Sequence, residues 1–402
     1  MDAPANEQPQ TTLTGGQIDI IKATAPVVAE HALDITNTFY PLMFEAYPQV
    51  RQVFNQSHQA GGSQPQALAN SIIAYATHIE NPGVLAPALE TIVQKHVSLN
   101  ITPPQYAIVG ECLMAAIGKV LGSAVTADVA DAWGAAYWQL ANLLIKAEEA
   151  EYRRKAQMKG GWRGARRVRI ARKERESAVI TSFYLEPVDR LPLMAFEAGQ
   201  YLGVKLTVDG QVMHRNYSLS HSPDPNFYRI SVKREPNGVA SGFLHDRAQI
   251  GDELEIYPPA GNFTLKPGTG PVVLLTGGVG QTPAVPMLDA ALGQGRDVIY
   301  LHAALNGDMH AFRNHVDGVA SNDNRVTHAY IYSEPNDGDQ PHHKGLVTTE
   351  ILERYLPASL EADVYFLGPK PFMQGVWRDL NTLGVSADRI SYEFFGPLEA
   401  LA

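Results

Sequence analysis

The sequence predicts a multidomain fold: an all-α domain, then an antiparallel β-barrel, then an α/β domain built on a parallel sheet. Three observations carry this expectation. The chain has 402 residues, 45% of them apolar, and single cores seldom grow beyond ~250–300 residues. Up to about Tyr152, Ala, Leu, Ile and Val recur at helical spacing with few strand-like runs. From "GGWRG" at 160–164 onward the pattern changes to short β-branched and aromatic runs, and then to apolar runs alternating with helical segments.

The first element is an N-terminal extension, residues 1–12, which lacks a cationic head followed by an apolar stretch, so no leader is expected. The helical domain is expected over 13–152. Within "VLAPALETIVQKHVSL" (84–99), Leu85, Ala88, Leu89, Ile92 and His96 recur at intervals of three and four. At 100° per residue His96 lies about 20° from Leu85, so it points into the apolar face. On periodicity alone, core packing is the commoner role for such a histidine, and ligation stays open. Pro41, directly after Tyr40, interrupts a helical run and removes a backbone donor, at a cost of ~3 kcal/mol or a kink. Cys112 is the only cysteine, so the chain forms no internal disulfide and no cysteine-based zinc or iron–sulfur site, in keeping with a reducing compartment.

A linker is expected over 153–161. Between Arg153 and Arg175 stand 11 of the 32 Lys and Arg residues against one acid, Glu174, which leaves 21 bases and 41 acids elsewhere, a balance of −20. The basic run reads as a solvated linker face rather than a nucleic-acid footprint, because no nucleic-acid motif surrounds it and the remainder is acidic. No segment approaches 18 uninterrupted apolar residues, so a soluble, cytoplasmic chain without stable membrane insertion is expected.

The barrel is expected over 162–267, from "VITSFYLEP", "GQYLGVKLTV", "RNYSLS", "YRISVKRE" and "DELEIYPP". In "HRNYSLS", with "GQY" 14 residues before it, strand alternation puts Arg215 and Tyr217 on one face. A guanidinium there can clamp a phosphate while the phenol ring packs on a flat cofactor. The α/β domain is expected over 268–402. Its first segment, "VVLLTGGVGQTPAVPML", runs a buried strand into Gly277, Gly278 and Gly280 and then a helix start, so backbone N–H groups and the helix N-terminus can approach a pyrophosphate. The pattern falls short of GxGxxG, and an ordinary strand-to-helix turn stays open for the turn alone.

Taken together, these segments resemble the ferredoxin-reductase superfamily over residues 162–402, through "GQY", "RNYS", "VKRE", "GVAS", "GGVGQTP", the "GP" at 368–369 and the late "EFFGP". The resemblance implies that Tyr201, Arg215, Asn216, Tyr217, Ser218 and Ser241 hold FAD. It implies that Gly278, Val279, Gly280, Gln281, Thr282 and Pro283 hold NAD(P)H, and that Phe394, Phe395, Gly396 and Pro397 lie near the flavin. Many relatives have a cysteine where this chain has Leu367, so any help from that thiol in placing the nicotinamide is absent.

A flavoreductase needs an electron acceptor. "NTFYPLMFEAYP", "VFNQSHQAGGSQPQAL", "QYAIVGE", "DAWGAAYWQLANLLI" and "AEEAEY", in that order around His96, resemble the globin domain of flavohemoglobins. With the reductase half, the similarity covers the chain except about ten N-terminal residues. The resemblance implies haem b ligated by His96, with Tyr40, Gln64 and Leu68 on the distal side and Phe54 against the ring. Tyr106 and Glu148 would join His96 in a proximal network, and Lys95 would lie near the haem edge or flavin. The implied activity is nitric oxide dioxygenase: NAD(P)H reduces FAD, FAD reduces the haem iron, and the ferrous-oxy haem converts nitric oxide to nitrate. Reduction of hydroperoxides or nitric oxide, or oxygen binding and sensing by a self-reducing globin, stand as alternatives. Partners are expected to be small molecules, namely dioxygen, nitric oxide and NAD(P)H, with no nucleic acid and a monomeric chain. After "DVIYLHAAL" there is neither a clear acid for a ribose hydroxyl nor a basic pair for a phosphate, so NADH and NADPH both stay open.

Overall fold

A computed structural model of the chain describes residues 12–53 and 63–395. It divides into two compact units, split after Ala156.

The first unit is helical: α1 (Gly15–Glu30), α2 (Ala32–Ala46), α3 (Ser63–Thr77), α4 (Ala86–Ser98), α5 (Pro103–Leu121) and α6 (Ala127–Gln157). Its helix starts follow local chemistry. Thr14 and Gln17 form a reciprocal capping box at α1, and Gln105 Oε1 accepts from the Thr102 amide at 2.7 Å ahead of the two prolines that open α5. α2 continues through Pro41 to Ala46 and keeps Tyr40 buried, so the proline does not end the helix. Ile21, Ile35, Phe39, Met43, Ala116 and Trp133 belong to one buried cluster, and Val93, Val97, Tyr106, Leu144 and Tyr152 to another. By length and hydropathy α5 is apolar enough to cross a bilayer, yet Tyr106, Cys112, Leu113, Ala116 and Ile117 on it face into this helical interior.

The second unit begins with a six-stranded antiparallel sheet of β1 (Arg166–Arg175), β2 (Ile180–Pro187), β3 (Tyr201–Val208), β4 (Gln211–Ser218), β5 (Tyr228–Lys233) and β6 (Glu253–Ile256). Its order is β4-β3-β6-β1-β2-β5, and a bridge between Leu219 and Ile230 ties the two edges together, curling the sheet around Phe183, Leu202, Val204 and Ile256. The basic run departs from the linker reading. Arg153 to Lys155 continue α6, and Arg166 to Arg175 form an interior strand whose arginines meet acids: the outward Arg167 pairs with Glu253 at 2.9 Å and Arg169 with Glu186 at 2.7 Å, while Arg166, on the face of Val168 and Ile170, reaches Asp189 at 2.8 Å. Alternation hid this strand, because only Val168 and Ile170 supply a buried face.

A parallel sheet follows: β7 (Val272–Gly277), β8 (Val298–Ala304), β9 (Val326–Tyr332), β10 (His343–Lys344), β11 (Asp363–Leu367) and β12 (Ile390–Tyr392). Helices α7 (Ala284–Gly293), α8 (Arg313–Asn322), α9 (Thr349–Tyr355) and α10 (Lys370–Leu383) connect them. The order β10-β9-β8-β7-β11-β12 puts β7 in the interior with the chain leaving to either side, which makes the carboxyl end of β7 the topological switch point. β7 is buried along its whole length, as a strand covered on both faces must be.

Candidate functional site

His96 stands in the last turn of α4. Its apolar neighbours differ in detail from the periodic reading. Leu85 falls in a 3₁₀ turn before the helix, and the fully buried stripe is Val93 with Val97. The stripe of Leu89, Ile92 and His96 is only partly buried, and the His96 side chain is 30% exposed. What fixes the imidazole is polar. Glu148 on α6, itself 3% exposed, lies 2.7 Å from Nδ1 through Oε1, and the Tyr106 hydroxyl on α5 lies 2.9 Å from the same nitrogen. Tyr106 also donates to Glu148 Oε1 through a short bond. Burial, reinforced by Glu148, pushes the Tyr106 phenol far above its ordinary pKa, so it keeps its proton and acts as donor. With that proton committed to the carboxylate, Nδ1 reaches Glu148 as an N–H donor, and the lone pair of the ring is left on Nε2. Nε2 has no hydrogen-bond partner among the described residues. An imidazole oriented through Nδ1 by a carboxylate is a donor that could take a metalloporphyrin iron at its other nitrogen.

Two further tyrosines, not identified from the sequence, brace this network. Tyr137 donates to the Tyr106 carbonyl at 2.5 Å, and Tyr152 donates to the Ile101 carbonyl at 2.9 Å just past α4. A Cβ on Gly110 would stand 2.5 Å from the Tyr137 ring, so that glycine is what lets the ring lie against α5. Lys95 is partly buried beside His96. Tyr40 and Leu68 belong to one apolar cluster, with the Phe39 and Tyr40 rings 4.8 Å apart edge to face. Gln64 lies in the first turn of α3, but its side chain is outside the described residues, as is Phe54.

In the curled sheet, Tyr201 pairs with Ser218, Gly203 with Asn216, Leu202 with Tyr217 and Val204 with Arg215. Arg215 and Tyr217 therefore share one face of β4, and Asn216 and Ser218 the other. Burial lowers the pKa of the Arg215 guanidinium and raises that of the Tyr217 phenol. The Tyr201 ring lies over Gly261, where a Cβ would come within 2.8 Å of it. Ser241 sits in a single helical turn, Val239–Gly242, accepting from the Glu235 amide at 3.1 Å.

The glycine turn follows β7 at the switch point. Gly278 has φ 54°, and at Gly280 a Cβ would stand 2.2 Å from the Leu367 carbonyl oxygen at the end of β11, so the turn is pressed against the neighbouring strand. Thr282 donates back to the Val279 carbonyl at 3.0 Å, and Pro283 caps α7. Gln281 is fully buried, and neither its Oε1 nor its Nε2 finds a partner among the described residues. An unpaired buried amide is costly in a closed core. At the carboxyl end of a parallel sheet it fits a polar ligand that completes its bonding. Phe394 packs on Tyr392 with centroids 6.0 Å apart and Phe395 is 48% exposed, whereas Gly396 and Pro397 lie outside the described residues.

Comparison with known proteins agrees with this division. The profile described as Globin matches residues 37–144, that of the oxidoreductase FAD-binding domain 167–265, and that of the oxidoreductase NAD-binding domain 274–378. A flavohemoprotein of Pseudomonas aeruginosa is 50% identical over 390 residues, covering 97% of this chain and 99% of that protein. One of Pseudomonas putida is 48% identical, covering 97% and 100%. Among solved structures, a flavohemoglobin from Malassezia yamatoensis with bound FAD and heme superposes with a TM-score of 0.85 at 28% identity, covering 96% of this chain and all of that one. The FAD/NAD-binding domain of nitric oxide dioxygenase from Vibrio cholerae gives a TM-score of 0.53 at 34% identity over 58% of this chain and 99% of that one.

Proposed function

Because the chain belongs to the flavohemoprotein family of oxidoreductases, we propose that it is a cytoplasmic nitric oxide dioxygenase that uses NAD(P)H to turn nitric oxide and dioxygen into nitrate. The observation that carries the reading is the His96 imidazole, its Nδ1 held by Glu148 and Tyr106, in the same chain as a glycine turn whose buried Gln281 amide finds no partner among the described residues. The cofactors are haem, FAD and NAD(P)H. When bound, FAD converts the two-electron chemistry of the nicotinamide into single electrons, and haem supplies the iron at which nitric oxide and dioxygen react.

The residues supply binding, orientation and local charge. His96 would hold the iron through Nε2, while Glu148 fixes the tautomer and makes the imidazole a stronger donor. Tyr106 completes the carboxylate's bonding, so the buried charge does not wander to another partner. On the opposite side Tyr40 and Gln64 would offer hydrogen bonds where negative charge develops, with Leu68 and Phe54 limiting access and Lys95 near the cofactor edge. Arg215 would meet a flavin phosphate, and Tyr201, Asn216, Tyr217, Ser218 and Ser241 would hold the rest of FAD. Backbone N–H groups over Gly278 to Pro283 would receive the dinucleotide, with Gln281 satisfying its amide there. Phe394, Phe395, Gly396 and Pro397 would cover the flavin.

The test is aerobic consumption of nitric oxide by the purified, haem- and FAD-loaded chain with NADH. Rapid loss with stoichiometric nitrate is expected. Slow loss without nitrate sinks the dioxygenase reading.

A further inference from the structure

Within the second unit, one contact between the curled sheet and the parallel-sheet domain is not explained by cofactor binding alone. Phe312, immediately before α8, is 5% exposed and has φ 55° and ψ 12°. Bulky L-residues rarely adopt this left-handed conformation, and a buried aromatic stays in it only where its surroundings over-determine it. Two sets of contacts do so. Phe312 and Ala311 share an apolar cluster with Ile180 and Val285, against which Val179 and Val279 also pack. Ile180 opens β2, whereas Val279 lies inside the glycine turn. The second contact is Arg229 on β5, whose guanidinium carbon stands 5.1 Å from the Phe312 ring centroid.

The same guanidinium grips the end of the flavin strand. Nη2 donates to the Ser220 carbonyl by a short bond, Nε donates to Ser220 Oγ at 3.2 Å, and the Ser220 amide donates to the Arg229 carbonyl at 3.0 Å. Ser220 is fully buried and lies two residues past Ser218 in "RNYSLS". Arg229 makes no close ion pair with a carboxylate among the described residues, although Glu176 and Asp289 feel its charge, so its hydrogen-bonding fork is used on this serine and, at 3.4 Å, on the Tyr184 hydroxyl. A further bond, from the Ala178 amide to the Asp308 carbonyl at 2.7 Å, ties the two domains next to the same place.

We propose that Arg229 and Phe312 form a positioning joint that sets the glycine turn against the flavin strand, and so sets the geometry of hydride transfer. The proposal rests on the flavin-reductase reading above, in which a hydride with both its electrons passes from nicotinamide to flavin. Neither residue touches the reacting atoms. Arg229 acts through Ser220 and its strand, and Phe312 acts through Val279 and its turn.

The test uses the full-length, haem- and FAD-loaded chain and the variants Arg229→Met, Arg229→Lys, Phe312→Ala and the double Arg229→Met/Phe312→Ala. Flavin reduction by NADH is followed anaerobically by stopped flow, with FAD content, the long-wavelength absorbance of the flavin–nicotinamide complex and amide exchange over residues 305–316 as independent readouts. Arg229→Met and Phe312→Ala are each expected to slow reduction at saturating NADH by about tenfold or more, as a small misalignment of reacting atoms does. The NADH dissociation constant should stay within about twofold, since ground-state binding is not what the joint supplies. The complex absorbance should weaken, exchange around Phe312 should quicken, and Arg229→Lys should recover part of the rate. The double variant should be no slower than the slower single, because both remove one contact. Wild-type rates in Arg229→Met with full FAD content, or fully additive losses in the double, overturn the joint. Should Arg229→Met lose FAD, Phe312→Ala and Arg229→Lys decide, and wild-type rates in both overturn it. A wild-type chain that NADH does not reduce overturns the reductase reading and the joint with it; a reducible wild type beside unaffected variants overturns the joint alone.

Discussion

At the residue scale the chemistry turns on one imidazole and its two partners. His96→Ala removes the nitrogen proposed for the iron, so the purified chain is expected to lose its Soret band while keeping flavin absorption; a retained band would show that another group ligates. Glu148→Gln keeps the shape and removes the charge behind Nδ1. Partners of this kind typically govern metal affinity or activity by ~10–100-fold, and a loss of turnover in that range is expected with haem content largely kept. Turnover equal to wild type would leave Glu148 a merely structural role. Spacing along α4 put His96 in one stripe with Leu89 and Ile92 but could not find Glu148, 52 positions away on another helix. Nor did it single out Tyr137 and Tyr152, whose hydroxyls were one aromatic among many in "DAWGAAYWQL" and "AEEAEY" until folding put carbonyls opposite them.

At the element scale, two substitutions separate turn geometry from junction stability. Gly280→Ala puts a methyl group where the Leu367 carbonyl stands, 2.2 Å away, so the turn must shift. The expected result is a rise of about tenfold or more in the NADH concentration needed for flavin reduction, with FAD content unchanged; unaltered saturation would show that the turn tolerates the shift. Arg296, at the entrance to β8 and fully buried, donates to the carbonyls of Gly270 at 2.5 Å and Lys266 at 3.1 Å and pairs with Asp363 at 2.5 Å. It pins the crossover from the curled sheet to the parallel one. Arg296→Met leaves these carbonyls without their donor and Asp363 with only the longer contact to Arg389 at 3.5 Å, and is expected to lower unfolding free energy by about 3 kcal/mol in urea followed by flavin release. A loss below ~1 kcal/mol, the range of an exposed pair, would refute this. Alternating strands and the glycine turn were legible in the sequence because their periods are local. β1 was not, since its side chains read as one basic run until Asp189, Glu253 and Glu186 were brought across the sheet to meet them.

At the scale of the whole molecule, buried histidines set how the fold meets acid. Burial depresses His302 to about 3 and His221 to about 4, the latter helped by Arg229 nearby, and burial likewise lowers His310, whose ring lies 4.4 Å from that of His302. These groups are neutral in the fold and titrate near 6.5 when unfolded, so the unfolded chain takes up protons first. Their contribution is therefore complete above about pH 6.5 and is lost as pH falls from there toward 4 and 3. Each such histidine steepens the decline by up to ~1.4 kcal/mol per pH unit. Urea midpoints measured from pH 8 to pH 5 should be level at first and then drop below 6.5; a midpoint unchanged down to pH 5 would contradict the neutral burial of these rings.

By itself the sequence determined the order of architectures, helical and then antiparallel and then parallel, because helical and strand periods and the punctuation between them act within a few residues of one another. It also determined the inventory of groups, including a histidine in line with apolar helix positions, an Arg and a Tyr two apart in a strand, and a glycine turn after a buried strand. Only the tertiary structure decided which groups met: Nδ1 of His96 with Glu148, Gly280 with Leu367, Arg229 with both Ser220 and Phe312. Hydrogen bonds and ring contacts act over a few ångströms, and residues far apart in the chain come that close only once packing has fixed the elements that carry them.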